Sequence, residues 1–240
     1  MSKAMSLAGR IALVTGASRG IGAATAKALA AEGVHVILTA RSAAELERVE
    51  DDIHQTGGTA TLAPFDLAEP DAVARLAAAI GERWEKLDIL VICAAFLPPL
   101  MPVSQIEPKG LSQAVTVNVL ATQALIAAFD PLLRKSDAGR IIGLTSSVGS
   151  KPRAYWGAYA ASKAAFETLL DCHAQETEKV SEVRVAIVDP GATRTQMRAR
   201  AYPGEDPQTV KPPEAVAQRI VALLNGDFAT GHRERVEDTR

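Results

Sequence analysis

Along the chain, short runs of consecutive apolar residues alternate with longer segments in which apolar positions recur every three or four residues. Residues 11–15 (Ile-Ala-Leu-Val-Thr) form the first run and end in a glycine-rich turn. Residues 20–32 then place Ile21, Thr25, Ala28 and Leu29 on one face, which is helical spacing. A second strand is predicted over 34–40. A helix rich in Glu and Arg follows to about Gln55, where Gly57-Gly58 breaks it. After a third strand (59–65), Val73, Leu76, Ala77, Ile80 and Trp84 form one helical stripe. Residues 87–93 are apolar almost throughout, as expected of a strand covered on both faces. The remaining pattern predicts helices over about 110–134, 156–180 and 213–224, with strands at 140–145 and 183–188.

Strands that alternate with helices run parallel, because a crossover helix returns the chain in the same direction. The expected architecture is a single α/β domain over residues 1–240: a Rossmann-type doubly wound sheet, mostly parallel, of six to seven strands in the order 3-2-1-4-5-6. No linker and no fixed-period repeat divides it. One long irregular segment, 192–212, contains Pro203-Gly204, Asp206-Pro207 and Pro212-Pro213. Irregular segments of this length are commonly lids, and a substrate lid is expected here.

Composition narrows the function classes. With 48% apolar and 22% charged residues, the chain is neither disordered nor fibrous. Its 26 basic and 28 acidic side chains leave a charge of −2, which gives no general attraction to nucleic acid or an anionic membrane. Cys93 and Cys172 lie at no metal-ligand spacing, and His35, His54, His173 and His232 are scattered, so no metal site is expected. Two unpatterned thiols suit a reducing cytoplasm. The clearest apolar run, 89–97, stops at Pro98-Pro99 and is half the length a spanning helix needs. The first nine residues lack a signal-peptide core. A cytoplasmic protein without a membrane segment is therefore expected.

Three features carry chemistry. The first is Thr15-Gly-Ala-Ser-Arg-Gly-Ile-Gly22, between the first strand and first helix. There Gly16 permits the tight turn, Gly20 lets backbone approach phosphate, and Gly22 allows close helix packing, so a pyrophosphate is expected at the helix N-terminus. The second is the end of the second strand, Thr39-Ala40-Arg41-Ser42. An NAD site usually carries an acid there. Arg41, with Arg19 from the turn, would instead pair with a 2′-phosphate, favouring NADP(H) over NAD(H); the plainer reading is a solvated surface arginine. The third is Tyr159-Ala-Ala-Ser-Lys163, which puts phenol and ammonium on one helix face. A free phenol titrates near 10, and a neighbouring ammonium favours its ionised form, so the pair can serve as acid or base.

Ser146 follows the strand 140–145 at the carboxyl edge, where doubly wound sheets bind ligands; Ser147 is its rival and Ser162 reads as structural. Asn118 is an unfavourable helix-interior residue, so it is either functional or a satisfied buried amide.

Taken together, the glycine turn, Asp66-Leu67, Asn118, Ser146, Tyr159/Lys163 and Pro190-Gly191 resemble the short-chain dehydrogenase/reductase family over roughly residues 8–230. The segments Trp156–Lys163, Pro190–Met197-Arg198 and Tyr202–Pro207 further resemble a bacterial subgroup of these oxidoreductases. The resemblance implies a catalytic set of Asn118, Ser146, Tyr159 and Lys163. Tyr159 would be the proton donor or acceptor, and Lys163 would bind the nicotinamide ribose and lower the tyrosine pKa. Ser146 would position the substrate oxygen, and Asn118 would hold a relay water. It also implies cofactor contacts from Gly16, Ser18, Arg19, Gly20, Ile21, Gly22, Arg41, Asp66, Leu67, Cys93, Ala94, Tyr159, Lys163, Pro190, Gly191, Thr193 and Thr195. A homodimer or homotetramer through the alanine-rich helices is implied as well.

Two departures stand out. Ile92-Cys93-Ala94-Ala95 occupies the place of the family's usual Asn-Asn-Ala-Gly, and the charged stretch after Gly231 leaves a seventh strand short or absent. The expected activity is NADP(H)-dependent hydride transfer to or from a small carbonyl or alcohol. The alternative is an NADP(H)-binding sensor or scaffold without catalysis.

Overall fold

The computed structural model describes residues 6–69 and 71–237. Residues 1–5, 70 and 238–240 of the expected 1–240 domain lie outside the described residues. Seven strands form one sheet: β1 (Ile11–Thr15), β2 (His35–Thr39), β3 (Thr59–Leu62), β4 (Ile89–Ile92), β5 (Arg140–Leu144), β6 (Arg184–Asp189) and β7 (His232–Arg235). Their order is β3-β2-β1-β4-β5-β6-β7 and every pairing is parallel. In register, Thr15 lies opposite both Thr39 and Ile92, and Leu144 opposite Val188. The carboxyl ends of the central strands therefore form a common edge, and the strand order reverses at β1/β4. A ligand crevice opens at such a switch point.

Alternate side chains of each strand enter two apolar layers. Ala12 and Val14 pack with α1 (Gly20–Ala31), α2 (Ala43–Gln55) and α9 (Pro213–Asn225); Ile11 and Leu13 pack with α3 (Ala72–Trp84), α5 (Ala121–Leu133) and α7 (Gly157–Thr177). Close approach of α7 to β5 depends on Gly143, where a Cβ would lie 2.3 Å from Leu170 Cδ1. The short helices α6 (Ser147–Ser150) and α8 (Gln196–Ala201) border the carboxyl edge.

The seventh strand is present. It was hard to read because ionic contacts, not apolar burial, hold it. Arg219 on α9 grips Glu234 with two bonds of 2.9 and 2.6 Å, and Arg233 reaches back to α7. Charged side chains also suit an edge strand, since they discourage pairing with another chain.

Preceding α5 are α4 (Pro108–Val115) and a π-helical turn at Thr116–Leu120. The combined helix, Pro108–Leu133, has an 18-residue window of mean hydropathy 1.4 that is 33% buried, so by length and composition it could cross a bilayer. The sequence expectation of no such segment counted only consecutive apolar residues and passed over a window interrupted by Asn118, Thr122 and Gln123.

At the opposite, amino edge of the sheet, the fully buried Asp88 carboxylate accepts hydrogen bonds from Ile11 N (3.0 Å), Arg10 Nη1 (3.0 Å), Lys86 Nζ (3.0 Å) and Ser136 Oγ (2.5 Å). Burial alone would raise its pKa, but these four donors together hold it below the ordinary value.

Candidate active site

The glycine turn is a tight cradle. Gly16 and Gly20 have φ of +66° and +56°, where side chains are strained. A Cβ on Gly16 would lie 2.9 Å from the backbone of Ala94, and one on Gly22 would lie 2.2 Å from Gly16 O. Thr15 Oγ1 accepts from Cys93 N and Ala94 N, both at 3.1 Å, and so ties the ends of β1 and β4 together. The Thr15 hydroxyl and two backbone amides thus fasten this corner where Cys93 stands. The Cys93 thiol packs, pushed up to about 12 by burial against the opposing pull of Lys163. Helix α1 starts here with no side-chain cap, so its first N–H groups face the turn. Pyrophosphate fits this arrangement. Ser18 and Arg19 also line a cleft of about 320 Å³ beside Lys27, Arg48, Asp52 and Glu214.

Arg41 lies just beyond β2, exposed, and among the described residues nothing pairs with its guanidinium. Ser42 caps α2 through its hydroxyl, which accepts from Glu45 N at 3.4 Å. Asp66 turns the chain after β3 by accepting Ala68 N at 2.9 Å, and Leu67 packs against the core under α3. Across the crevice, Gly191 (φ +63°) donates to Asp189 Oδ1 at 3.0 Å, and Thr193 Oγ1 donates to Pro190 O at 3.0 Å. Thr195 caps α8 and packs against Gly20, while Arg19 Nη1 donates to Gln196 Oε1 at 2.5 Å. The segment after β6 therefore folds down onto the glycine turn.

Tyr159 and Lys163 lie one turn apart on α7 and are 5% and 2% exposed. Lys163 Nζ donates to Leu144 O at 2.7 Å and sits 4.1 Å from the centre of the Phe166 ring. Burial draws the ammonium down to about 8, opposed by Cys93 and Glu167. The Tyr159 hydroxyl points at Met197 Sδ, 3.9 Å away on α8, in an apolar nest of Leu97, Val148, Leu100 and Trp156. Sequence reading has Lys163 lowering the phenol. Here the phenol is raised instead: burial beneath the closed segment and the charge of Asp189 both disfavour phenolate. Tyr202 completes the cover, 5.8 Å from Trp156, with Arg198 stacked on it and doubly bonded to Glu205 at 2.7 and 2.5 Å.

Asn118 sits in the π-helical turn, a distortion frequent at functional sites. Its Oδ1 accepts Phe96 N at 2.7 Å, and Nδ2 donates to Phe96 O and to Ser162 Oγ, both at 2.9 Å. Ser162 Oγ in turn donates to Tyr159 O at 2.8 Å, so its role is structural. Both amide hydrogens of Asn118 are spent on fixing the loop after β4 to α7. A relay water would have to use its spare acceptor capacity. Ser146 precedes α6 in extended conformation and, like Ser147, borders a cleft of about 290 Å³. Among the described residues no hydrogen bond joins Ser146 to Tyr159 or Lys163. Sequence reading missed Thr15, Met197, Asp189 and Glu167; of these, Glu167 had a signal, an acid four residues after Lys163 and so on the same helix face.

The model of the short chain dehydrogenase family matches residues 10–206. The chain belongs to the short-chain dehydrogenase family. A curated member, the uncharacterized oxidoreductase YciK of Escherichia coli K12, is 40% identical over 221 residues, 91% of this chain and 87% of that protein. A short-chain dehydrogenase from Shigella flexneri solved in complex with NADP superposes with a TM-score of 0.92 at 38% identity, covering 98% of this chain and 99% of the other. One from E. coli CFT073 in complex with NADPH also gives 0.92 at 38% identity, covering 98% and 100%. Family membership accounts for the seven-stranded order and for the glycine turn at the β1/β4 switch point.

Proposed function

We propose that this short-chain dehydrogenase is an NADP(H)-dependent oxidoreductase acting on a carbonyl/alcohol pair, with Tyr159 as the proton donor or acceptor. One observation carries the reading: Tyr159 and Lys163 are buried one turn apart on α7, at the carboxyl edge beside the glycine cradle. NADP and NADPH in the two structural relatives support the cofactor, as does Arg41, an exposed cation at the corner where an NAD enzyme carries an acid.

The cradle of Gly16, Ser18, Gly20, Ile21 and Gly22 would take the pyrophosphate, Arg41 and Arg19 the 2′-phosphate, and Asp66 and Leu67 the adenine. Cys93, Ala94, Pro190, Gly191, Thr193 and Thr195 would line the nicotinamide side, with Lys163 on its ribose. The nicotinamide, when bound, supplies or takes the hydride. Arg19 must then release Gln196, and residues 192–212, the lid, must lift Met197 from the phenol. In the reducing direction Tyr159 gives its proton to the carbonyl oxygen as carbon accepts hydride, and Lys163 as ammonium stabilises the phenolate left behind. Ser146 donates to the same substrate oxygen. Asn118 holds the loop at Phe96 that walls the site. Reduction is the favoured direction, because cells keep this cofactor mostly reduced.

The protein would work in the cytoplasm as a homodimer or homotetramer, with Leu111, Val115 and Leu120 of the long helix exposed for such a seam. Screening aldehydes, ketones and acyl thioesters for NADPH oxidation tests the reading, and turnover of at least one is expected. The covered, proton-holding phenol favours a second reading, a sensor or scaffold. NADPH binding without turnover across that panel would select it.

A further inference from the structure

Beyond the residues the reaction itself calls for, an ionic chain runs behind the site from the buried Thr145 and Glu167 to the exposed Arg233. Glu167 lies on α7 one turn after Lys163 and is 7% exposed. Its Oε1 accepts from Thr145 Oγ1 at 2.5 Å, and its Oε2 accepts from Arg233 Nη1 at 2.6 Å. Arg233, on β7, uses Nη2 to bind Asp171 at 2.5 Å, again on α7. Thr145 is the residue before Ser146. The fit is close: a Cβ on Gly149, in the helix that Ser146 starts, would lie 2.7 Å from Glu167 Oε1. One wall of the cleft of about 290 Å³ thus brings Ser146, Glu167 and Arg233 together.

We propose that Glu167, clamped between Thr145 and Arg233, is a positioning residue: it fixes the strand end that carries Ser146 against the helix that carries Lys163, and it is the counter-charge of Lys163. A carboxylate is costly to bury unless it is paired and hydrogen-bonded, and here both oxygens are satisfied. Polar groups act on the Lys163 site from each side. Tyr159 and Glu167 lie on its own helix, Cys93 follows β4, Asp189 ends β6, and Arg233 on β7 acts through Glu167. Cys93 and Glu167 both favour the ammonium against the burial that opposes it, but the buried Cys93 thiol stays neutral up to about 12, which leaves Glu167 as the standing negative charge. Arg233 acts the other way, as a cation that partly neutralises Glu167. The seventh strand therefore has a task at the catalytic pair.

The mechanistic meaning rests on the oxidoreductase reading, but the test does not. Cofactor-free protein carrying 13Cε-labelled lysine is titrated by NMR, with the Lys163 signal assigned through Lys163→Arg. The wild-type midpoint is expected near 8. Glu167→Gln should lower it by about 0.5–2 pH units, the range for unit charges roughly 6 Å apart between effective dielectric constants of about 80 and 20. Arg233→Gln should raise it. A purely structural role would not move the two in opposite directions. Unchanged midpoints, or shifts of the same sign, overturn the proposal. Should Glu167→Gln fail to fold, Arg233→Gln on the edge strand decides alone: an upward shift supports the assignment, and no shift or a downward one refutes it. Opposite shifts in a protein that turns over no carbonyl would refute the oxidoreductase reading and leave this one standing.

Discussion

Replacing Asp88 by alanine should cost far more stability than replacing Asp137, although both acids bind the same arginine. Arg10 Nη1 pairs with each. Asp137 is 76% exposed, however, and Asp88 is fully enclosed. Removing Asp88 orphans the buried Ser136 hydroxyl and the Ile11 amide, takes the acid away from Lys86 and leaves Arg10 with Asp137 alone. Breaking a buried charge network in this way costs about 3–5 kcal/mol. An exposed pair is worth about 0–1 kcal/mol. For a domain of this size about 1 kcal/mol moves the melting temperature by roughly 2 °C or more. Asp88→Ala should therefore melt roughly 6–20 °C lower, at about 2–4 °C per kcal/mol, and Asp137→Ala close to wild type. The sign with pH follows from the depressed Asp88 pKa. Its contribution is complete above the unfolded carboxylate pKa and is lost as pH falls through the lower folded value. Melting curves at pH 7 and pH 3 test this. Equal losses for the two variants, or a gap that widens in acid, would refute the reasoning.

Arg41→Ala should weaken NADPH by about tenfold or more while leaving NADH nearly unchanged, since a hydrogen bond to a charged group contributes about 1.5–3 kcal/mol; cofactor fluorescence titration reads both. Gly22→Ala should abolish nucleotide binding or folding, because its Cβ would meet Gly16 O at 2.2 Å, and calorimetry with circular dichroism separates the two outcomes. Iodoacetamide at pH 8 should label the exposed Cys172 and spare Cys93, whose thiol stays protonated up to about 12; mass spectrometry of the peptides checks it.

Five of the six strands read from sequence, β1, β2 and β4 to β6, are apolar runs, as expected where both faces of a sheet are covered; the half-buried β3 was placed by its position between two helical segments. The sequence left β7 open because His-Arg-Glu-Arg carries no such run; the strand joins β6 by parallel pairing and is braced by ion pairs of Arg233 with Glu167 and of Glu234 with Arg219, contacts that the sequence pattern does not encode. Spacing put Tyr159 and Lys163 on one helix face but did not by itself separate them from an ordinary surface pair; Ser146 at the carboxyl edge did. The direction of the phenol's shift was not legible. That direction depends on Met197 and Asp189, which the chain brings to Tyr159 from 38 and 30 positions away. Asn118 was open between two roles, and its amide is seen bonding Phe96 and Ser162, contacts across the fold that helix spacing does not encode.

The central claim is that Tyr159 moves the proton. Steady-state reduction of a carbonyl found in the NADPH screen should fall by about 100- to 10,000-fold in Tyr159→Phe, the usual contribution of a positioned acid, while NADPH affinity stays at the wild-type value. Turnover within a few-fold of wild type would contradict it.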